Sequence, residues 1–362
     1  MITNRFFEEM CGNVGVNLGS VFSFVPILNQ ERIMKKMFRF LTLAALLAAV
    51  VVFSGARIRA AEFELNIGHI VNEDNSWHKA SLHFQEQVEK ESNGRIQVKI
   101  YPNNQLGSEL DVVNSIMMEG GADITFTGES MQSVIQEMGI LGVPYLMNSP
   151  EQVKAVANGP IGKKLEELMA RDANMITLGY YERGPRNVTS NRPIRTPADM
   201  KGLIIRVPAS PITVAAMEAL GAKPTPMAFA EVFTSLQQKT IDAQENPLAM
   251  IKTGNFYEVQ KYLNKTEHLR SIVYIVVSKS KLESMPKDLQ ELVIRAGKDM
   301  MDFEHELFLK DEEELEGFLQ EKGMTFVEDV DRAAFAAQAS QGIEKVLPEA
   351  LKSMYAEIRA MK

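Results

Sequence analysis

The chain has 362 residues, of which 45% are apolar and 24% charged, and this balance is typical of a globular protein and excludes a disordered one. Its net charge of -8 argues against nucleic acid as a partner, because phosphate binding requires a basic surface. The single cysteine, Cys11, excludes a disulfide framework and a zinc site built on several thiolates, and the length is typical of two domains.

The first sixty residues differ from the remainder in charge. Residues 1–60 carry a net charge of +4, whereas the remainder carries -12. A basic stretch that begins at Met34 precedes an apolar run from Phe40 to Phe53, which with 14 residues is shorter than the roughly 20 that a membrane-spanning helix needs. Small residues follow this run. The order predicts a secretory signal peptide and export to the periplasm.

Cleavage after Ala60 or Ala61 fits this prediction, and a cut at Ser54-Gly55-Ala56 and a retained membrane anchor are the alternatives. We interpret residues 1–33 as an over-long start ahead of Met34, which would remove Cys11 from the mature protein.

Strands and helices alternate along the remaining chain. Strands are predicted from alternating or continuous apolar runs, and helices from apolar residues that recur every three to four positions. Such alternation is typical of βαβ units and predicts a largely parallel sheet. The predicted strands are 62–71, 95–101, 123–127, 175–181, 203–207 and 271–277, and the predicted helices between them are 76–92, 107–118, 150–172, 210–220 and 229–238.

A long helical pattern begins at Pro286 and ends near Lys322, and residues 331–362 are also predicted to be helical. Leu289, Val293 and Ala296 begin its apolar stripe. Because the mean globular helix has about 11–12 residues, a helix of this length is expected to brace two domains.

The sequence contains no recognised catalytic motif. None of the five histidines belongs to a His-Glu-x-x-His motif, and Gly-x-Ser-x-Gly, a phosphate loop and a Rossmann glycine run are also missing. We therefore predict no catalytic residue, no metal site and no cofactor.

One charged residue interrupts a strand that is apolar on consecutive positions. Arg206 in the segment 203–208 lies at the carboxyl end of this strand, where open α/β sheets place their ligands. A buried charge is costly unless it is paired, and the guanidinium fork matches a carboxylate in a two-bond geometry. The alternative is an arginine that reaches solvent from the end of a strand.

Several motifs in order resemble those of the solute-binding subunit of tripartite ATP-independent periplasmic (TRAP) transporters, in the C4-dicarboxylate and sugar-acid-binding family. The resemblance extends over residues 62–345. It rests on Arg206-Val-Pro, Gly221-Ala-Lys-Pro-Thr-Pro-Met227, Asp242-Ala-Gln-Glu-Asn-Pro247, Tyr101-Pro-x-x-Gln-Leu-Gly107 and Gly184-x-Arg186 with Ser190-Asn-Arg-Pro193.

The resemblance implies the roles of eight ligand-binding residues. Arg206 would clamp the ligand carboxylate, Arg186 would be a second contact, and Asn246 would hydrogen-bond the carboxylate end. Arg186 and Asn246 also have structural alternatives: Arg186 lies in a predicted loop and could be a hinge contact, and Asn246 is a good turn residue before proline. The remaining five are Phe229 as an apolar wall, Glu129 and Glu109 as contacts to hydroxyl or amine groups, and Ile70 and Asn72 in the loop after the first strand.

The ligand class follows from a departure from the family pattern. Sialic-acid binders of the family carry Glu-Ser-Ala-Arg where this chain has Glu129-Ser-Met-Gln132, so their second basic group is missing. This difference favours a smaller or less polar monocarboxylate over sialic acid.

The resemblance implies an α/β two-domain clamshell that closes over a cleft, with a five- or six-stranded sheet in each domain and a long helix that spans both. We expect residues 61–183 and 272–311 in domain I, and 184–271 and 312–362 in domain II. The expected partners are a small carboxylate and the large and small membrane subunits of the transporter, with the protein acting as a monomer.

Two other classes of function remain open at this point. One is an exported enzyme that handles carboxylates and uses Glu129 and His69 as acid and base. The other is a sensory module that uses the same clamshell to present its ligand to a receptor.

Overall fold

The computed structural model describes residues 61–361, and the predicted leader of residues 1–60 lies outside them. The described chain contains nine strands, all in one sheet. They are β1 (Phe63–Gly68), β2 (Ile96–Tyr101), β3 (Ile124–Thr127), β4 (Met175–Ser190), β5 (Ile204–Val207), β6 (Lys223–Pro226), β7 (Ala243–Asn246), β8 (Tyr262–Ser278) and β9 (Thr325–Val327).

The strand order in the sheet is β2-β1-β3-β8-β4-β7-β5-β6, with β9 paired to β8. Strands β1, β2 and β3 are mutually parallel, as are β5, β6 and β7, and β9 is parallel to β8. Strands β4 and β8, by contrast, pair antiparallel with each other and with their other neighbours β7 and β3. The sheet is thus mixed, with two parallel portions joined by an antiparallel centre.

The two central strands are much longer than predicted. The sequence predicts strands over 175–181 and 271–277, whereas β4 has 16 residues and β8 has 17. Both therefore extend through the two portions of the sheet, which share them: five strands on one side and six on the other. The pairing of β4 with β8 shifts register between Glu182 and Pro185, beside Gly184, whose φ is +75°. Arg186 thus lies in a strand and not in the predicted loop.

The helices follow the predicted segments closely. The predicted helix 150–172 is two helices, because Pro160 begins a new one directly after Gly159 and has no N–H to continue the first. The helices are α1 (Ser76–Glu91), α2 (Glu109–Met117), α3 (Pro150–Asn158), α4 (Pro160–Asp172), α5 (Pro211–Ala219), α6 (Phe229–Gln237), α7 (Leu248–Thr253), α8 (Lys279–Glu283), α9 (Lys287–Glu321), α10 (Arg332–Val346) and α11 (Glu349–Ala360).

Helix α9 has 35 residues and confirms the predicted long helix. The first half of its apolar stripe packs in a buried cluster with residues of α1 and of the sheet, including Phe84 and Leu178, and the second half, with Leu315 and Leu319, packs in another. Among residues 61–361, no helix is both long enough and apolar enough to cross a membrane.

Candidate functional site

A cavity of about 250 Å³ lies where the carboxyl ends of the two parallel portions of the sheet meet. Ile70 follows β1 and Glu129 follows β3, whereas Arg206 is the penultimate residue of β5 and Asn246 ends β7. Open α/β sheets bind ligands at this edge because the loops there are free to vary while the strands hold them in place. Seven of the eight residues predicted to bind ligand line the cavity: Ile70, Glu109, Glu129, Arg186, Arg206, Phe229 and Asn246.

Arg206 is buried, with 4% of its surface exposed. Its Nε and Nη2 both donate to the backbone carbonyl of Met227, at 3.0 and 2.8 Å. Burial lowers the pKa of Arg206 to about 10, so the side chain stays cationic at neutral pH. Within residues 61–361 it forms no ion pair with an acid, and a carboxylate that enters the cavity would supply one.

Arg186 also lines the cavity, but its charge is already balanced. Its Nε and Nη2 donate to the two carboxylate oxygens of Glu245 at 2.5 and 2.7 Å, in the two-bond geometry. Nε2 of His268 lies 3.1 Å from the same carboxylate, and the ring's Nδ1 lies 2.9 Å from Thr266. Although burial opposes ionisation, Arg186 and His268 hold the pKa of Glu245 well below its ordinary value.

A third arginine, Arg183, lines the cavity and was not predicted from the sequence. Its Nη2 donates to Oε2 of Glu129, and the two side chains are 12% and 4% exposed. Arg183 precedes Gly184 on the central strand, three residues from Arg186. The sequence gave no signal for this residue, because the family-like segment begins at Gly184 and the local pattern does not show that β4 continues through this region.

Glu109 begins α2, whose capping box is formed by Ser108 and Asp111. Its Oε1 accepts hydrogen bonds from Oγ1 of Thr127 at 2.8 Å and from the backbone N–H of Gly128 at 3.2 Å. Burial raises the pKa of Glu109, and these two hydrogen bonds offset the effect only in part. The carboxyl group is therefore fixed at the end of β3 and can exchange hydrogen bonds with hydroxyl groups in the cavity.

Asn246 and Phe229 complete the wall on the side of Arg206. Nδ2 of Asn246 donates to Gln244 at 2.6 Å, and Gln244 in turn donates to Thr189 at 2.8 Å. Phe229 is the first residue of α6, and its ring meets that of Phe256 edge-on at 5.5 Å between centroids. An apolar face thus lies beside polar groups, as in many small-molecule sites.

Asn72 does not line this cavity. It lies in a neighbouring recess of about 240 Å³, which shares Ile70 and Phe229 with the cavity. Its carbonyl accepts from the N–H of Asn75 in the turn that begins α1, and this turn carries Asn72 to the outer recess.

Two other sequence-derived residues also lie outside the cavity lining. His69 is buried, and its Nε2 is 3.2 Å from Nδ1 of His78, so the structure does not bring it to Glu129. Oε1 of Gln132 accepts from Ser210 and from the N–H of Ile212 at the start of α5. Residues 61–361 contain no group of three or more potential ligands arranged to hold a metal ion.

Residues 67–349 match the family model described as bacterial extracellular solute-binding protein, family 7. The chain is 44% identical to the solute-binding protein RD1_1052 of Roseobacter denitrificans over 301 residues, which are 83% of this chain and 92% of the relative. It is 30% identical to the 2,3-diketo-L-gulonate-binding periplasmic protein YiaO of Escherichia coli, over 82% of this chain and 90% of that protein.

Solved structures show the same architecture. The Roseobacter denitrificans protein, a TRAP periplasmic solute-binding protein with bound L-galactonate, superposes with a TM-score of 0.80 at 42% identity, over 83% of this chain and 99% of that one. A TRAP periplasmic solute-binding protein of Sulfurospirillum deleyianum with bound succinate gives a TM-score of 0.78 at 25% identity, over 83% and 100%. These neighbours confirm the two-domain clamshell class for this chain.

Proposed function

Because this chain belongs to the bacterial extracellular solute-binding proteins of family 7, the binding subunits of TRAP transporters, we propose that it captures a small sugar acid by its carboxylate at Arg206. The observation that carries this proposal is the burial of Arg206 with a carbonyl as its hydrogen-bond partner. A buried guanidinium is stabilised most by an anion with matching geometry, and the cavity leaves room for one.

The proposed ligand is a polyhydroxylated monocarboxylate, such as an aldonate of about six carbons. A relative with 42% identity holds L-galactonate, and YiaO is named for 2,3-diketo-L-gulonate. The cavity of about 250 Å³ is slightly smaller than most ligand sites, which measure about 300–1,000 Å³, and this size favours a small ligand. Glu109 and Glu129 offer carboxylate oxygens to hydroxyl groups, and Gln132 stands where sialic-acid binders carry an arginine.

The remainder of the proposal concerns delivery. The bound acid would be passed in the periplasm to the large and small membrane subunits of the transporter, without covalent chemistry. The family and its relatives with named ligands are binding proteins, which supports this assignment. The rival acid–base pair of Glu129 and His69 is disfavoured by geometry, since Glu129 pairs with Arg183 and His69 contacts His78.

The test is a ligand screen of the purified protein. Native mass spectrometry would first identify any acid that co-purifies, and thermal unfolding would then be followed with L-galactonate, L-gulonate, galacturonate, succinate and sialic acid. We expect the aldonates to raise the melting temperature most. Galactitol is the matched control, because it keeps the hydroxyl groups but has no carboxylate, and it should have no effect. Failure of every sugar acid to stabilise the protein would contradict the proposal.

A further inference from the structure

The cavity contains three guanidinium groups, which differ in their partners. Arg186 is paired with Glu245 and Arg183 with Glu129, whereas Arg206 donates to a backbone carbonyl. Two of the three positive charges are therefore balanced by carboxylates of the protein itself. Of the three arginines, only Arg206 forms no ion pair within residues 61–361, so its charge is the one that a ligand carboxylate would balance.

The acidic groups are gathered on the other side of the cavity. Glu129 follows β3 directly after Gly128, and Glu109 is bound to that same glycine and to Thr127. Arg206 lies on β5, and β8, β4 and β7 separate it from β3 in the sheet. A ligand held by its carboxylate at Arg206 therefore extends toward two carboxyl groups of the protein.

A second carboxylate on the ligand would meet like charge at this end. Arg183 could attract it, but Glu129 already occupies that guanidinium. Like charges brought together in a site shielded from water repel strongly, and such repulsion is a common source of specificity. A hydroxyl group at the same position would instead donate a hydrogen bond to an acidic oxygen.

We propose that Glu129 sets the charge specificity of the site: by neutralising Arg183 it admits acids with one carboxylate and excludes those with a second carboxylate at the far end. This inference rests on the proposed function and refines it, since it assigns aldonates and rejects the corresponding aldarates. The solved relative with succinate has the same fold, so the fold itself does not impose this choice.

The experiment compares L-galactonate with galactarate, which differ only in that the terminal CH2OH of the first is a carboxylate in the second. Calorimetric titration of the wild-type protein should show galactonate binding at least about 100-fold more tightly, as expected for an unpaired charge placed beside like charge. The monoamide of galactarate, which has the same shape but one charge, should recover at least about tenfold of this loss. This comparison of ligands uses only the wild-type protein, so it tests the proposal even if a variant does not fold.

The variant Glu129→Gln should release Arg183 and raise the affinity for galactarate at least about tenfold, with a smaller change for galactonate. The double variant Glu129→Gln with Arg183→Gln should lose this gain, because the gain requires the guanidinium. Glu182→Gln is the matched control: Glu182 is adjacent to Arg183 but pairs with Arg270 outside the cavity lining, so the ratio of affinities should stay within about twofold.

The outcomes separate the two proposals. Equal affinity of the wild-type protein for galactonate and galactarate would overturn the charge specificity and leave sugar-acid binding intact. A Glu129→Gln protein that folds normally and loses both acids equally would also overturn it, because Glu129 would then be a plain ligand contact. If the wild-type protein bound neither L-galactonate, galactarate nor the monoamide of galactarate, both proposals would be overturned.

Discussion

Arg206 is the residue on which the proposed capture of a carboxylate depends most directly. Lysine at this position keeps the charge but loses the fork that can bond Met227 and a ligand together. Since each charge-assisted hydrogen bond is worth about 1.5–3 kcal/mol, Arg206→Lys should weaken sugar-acid binding by about 100-fold, and Arg206→Ala by at least as much. Titration calorimetry measures this, with thermal unfolding to show that the fold is kept.

The matched control is Arg195→Lys, because Arg195 pairs with Asp329 on the surface and is 49% exposed. We expect its affinity to be that of the wild-type protein. An affinity of Arg206→Lys within threefold of wild type would show that the carboxylate is bound elsewhere.

The sequence predicts the residues at strand ends better than their charge partners. Arg206 was found because it lies near the carboxyl end of a predicted strand within a motif, and Asn246 was found through its motif alone. Arg183 was missed, and the partners that balance the arginines are 54 and 59 residues away in sequence. The pairing of Arg186 with Glu245 depends on the register of β4 with β7, in which Val188 lies opposite Glu245, and local patterns do not specify that register.

Among the elements, α9 was predicted almost to its ends, whereas β4 and β8 were predicted at less than half their length. The missed halves are rich in buried polar side chains, so they lack the apolar alternation by which strands are recognised. Asn264, with no exposed surface, is one example: its Oδ1 accepts from the N–H of Ile194 and its Nδ2 donates to Val188 and Ser190. Long-range hydrogen bonds make these strands possible.

The contact of α9 with the sheet depends on a glycine. A Cβ at Gly297 would lie 2.6 Å from Cβ of Leu178 on β4, closer than real Cβ contacts. Gly297→Ala should therefore lower the free energy of unfolding by about 1–3 kcal/mol, the usual cost of overpacking. Urea-induced unfolding measures the difference.

Gly317 on the same helix provides the control, because a Cβ there meets nothing within 4 Å. Gly317→Ala should raise the free energy of unfolding by roughly 0.5–1 kcal/mol through the better helix propensity of alanine. If Gly297→Ala were as stabilising as Gly317→Ala, the close packing of α9 on β4 would be wrong.

Helix α9 also carries a buried acid. Glu304 is 1% exposed, and its Oε1 accepts from Oγ of Ser76 at 2.8 Å. Burial raises the pKa of Glu304 to about 8, whereas an unfolded chain has a value of about 4.3. The folded protein therefore keeps a proton that the unfolded chain releases, so the contribution of Glu304 to stability is complete below about pH 4 and is lost as pH rises through about 8.

Glu304→Gln removes this dependence, because an amide stays neutral and its oxygen can still accept from Ser76. The melting temperature of the variant should be close to that of the wild-type protein at pH 5 and several degrees higher at pH 9. Glu306→Gln, on the exposed side of the same helix, is the matched control for the loss of one carboxylate from α9. Calorimetric melting at both pH values tests this, and an equal difference at pH 5 and pH 9 would contradict a buried, protonated Glu304.

At the scale of the whole molecule, the predicted domain boundaries remain a proposal. Two of the three boundaries, 183/184 and 271/272, lie in the central strands, and the third, 311/312, lies in α9. The register shift between Glu182 and Pro185 falls at the first of these boundaries, and Glu182 is paired opposite Ile272. Gly184, with φ of +75°, adopts a conformation that other residues rarely accept. We therefore propose that the two portions of the sheet move about this point.

Ligand binding should then close the molecule, because the cavity takes its walls from both portions: Arg206 and Asn246 on one side, Glu109 and Glu129 on the other. A ligand that contacts both sides favours the closed form by the free energy of the contacts that only that form allows.

We expect saturating L-galactonate to reduce the radius of gyration measured by small-angle X-ray scattering. Arg206→Ala should show no reduction at the same concentration, whereas Asn72→Ala, altered outside the cavity, should behave as wild type. Unchanged scattering of a wild-type protein shown by calorimetry to be saturated would mean that the cavity binds its ligand without closure.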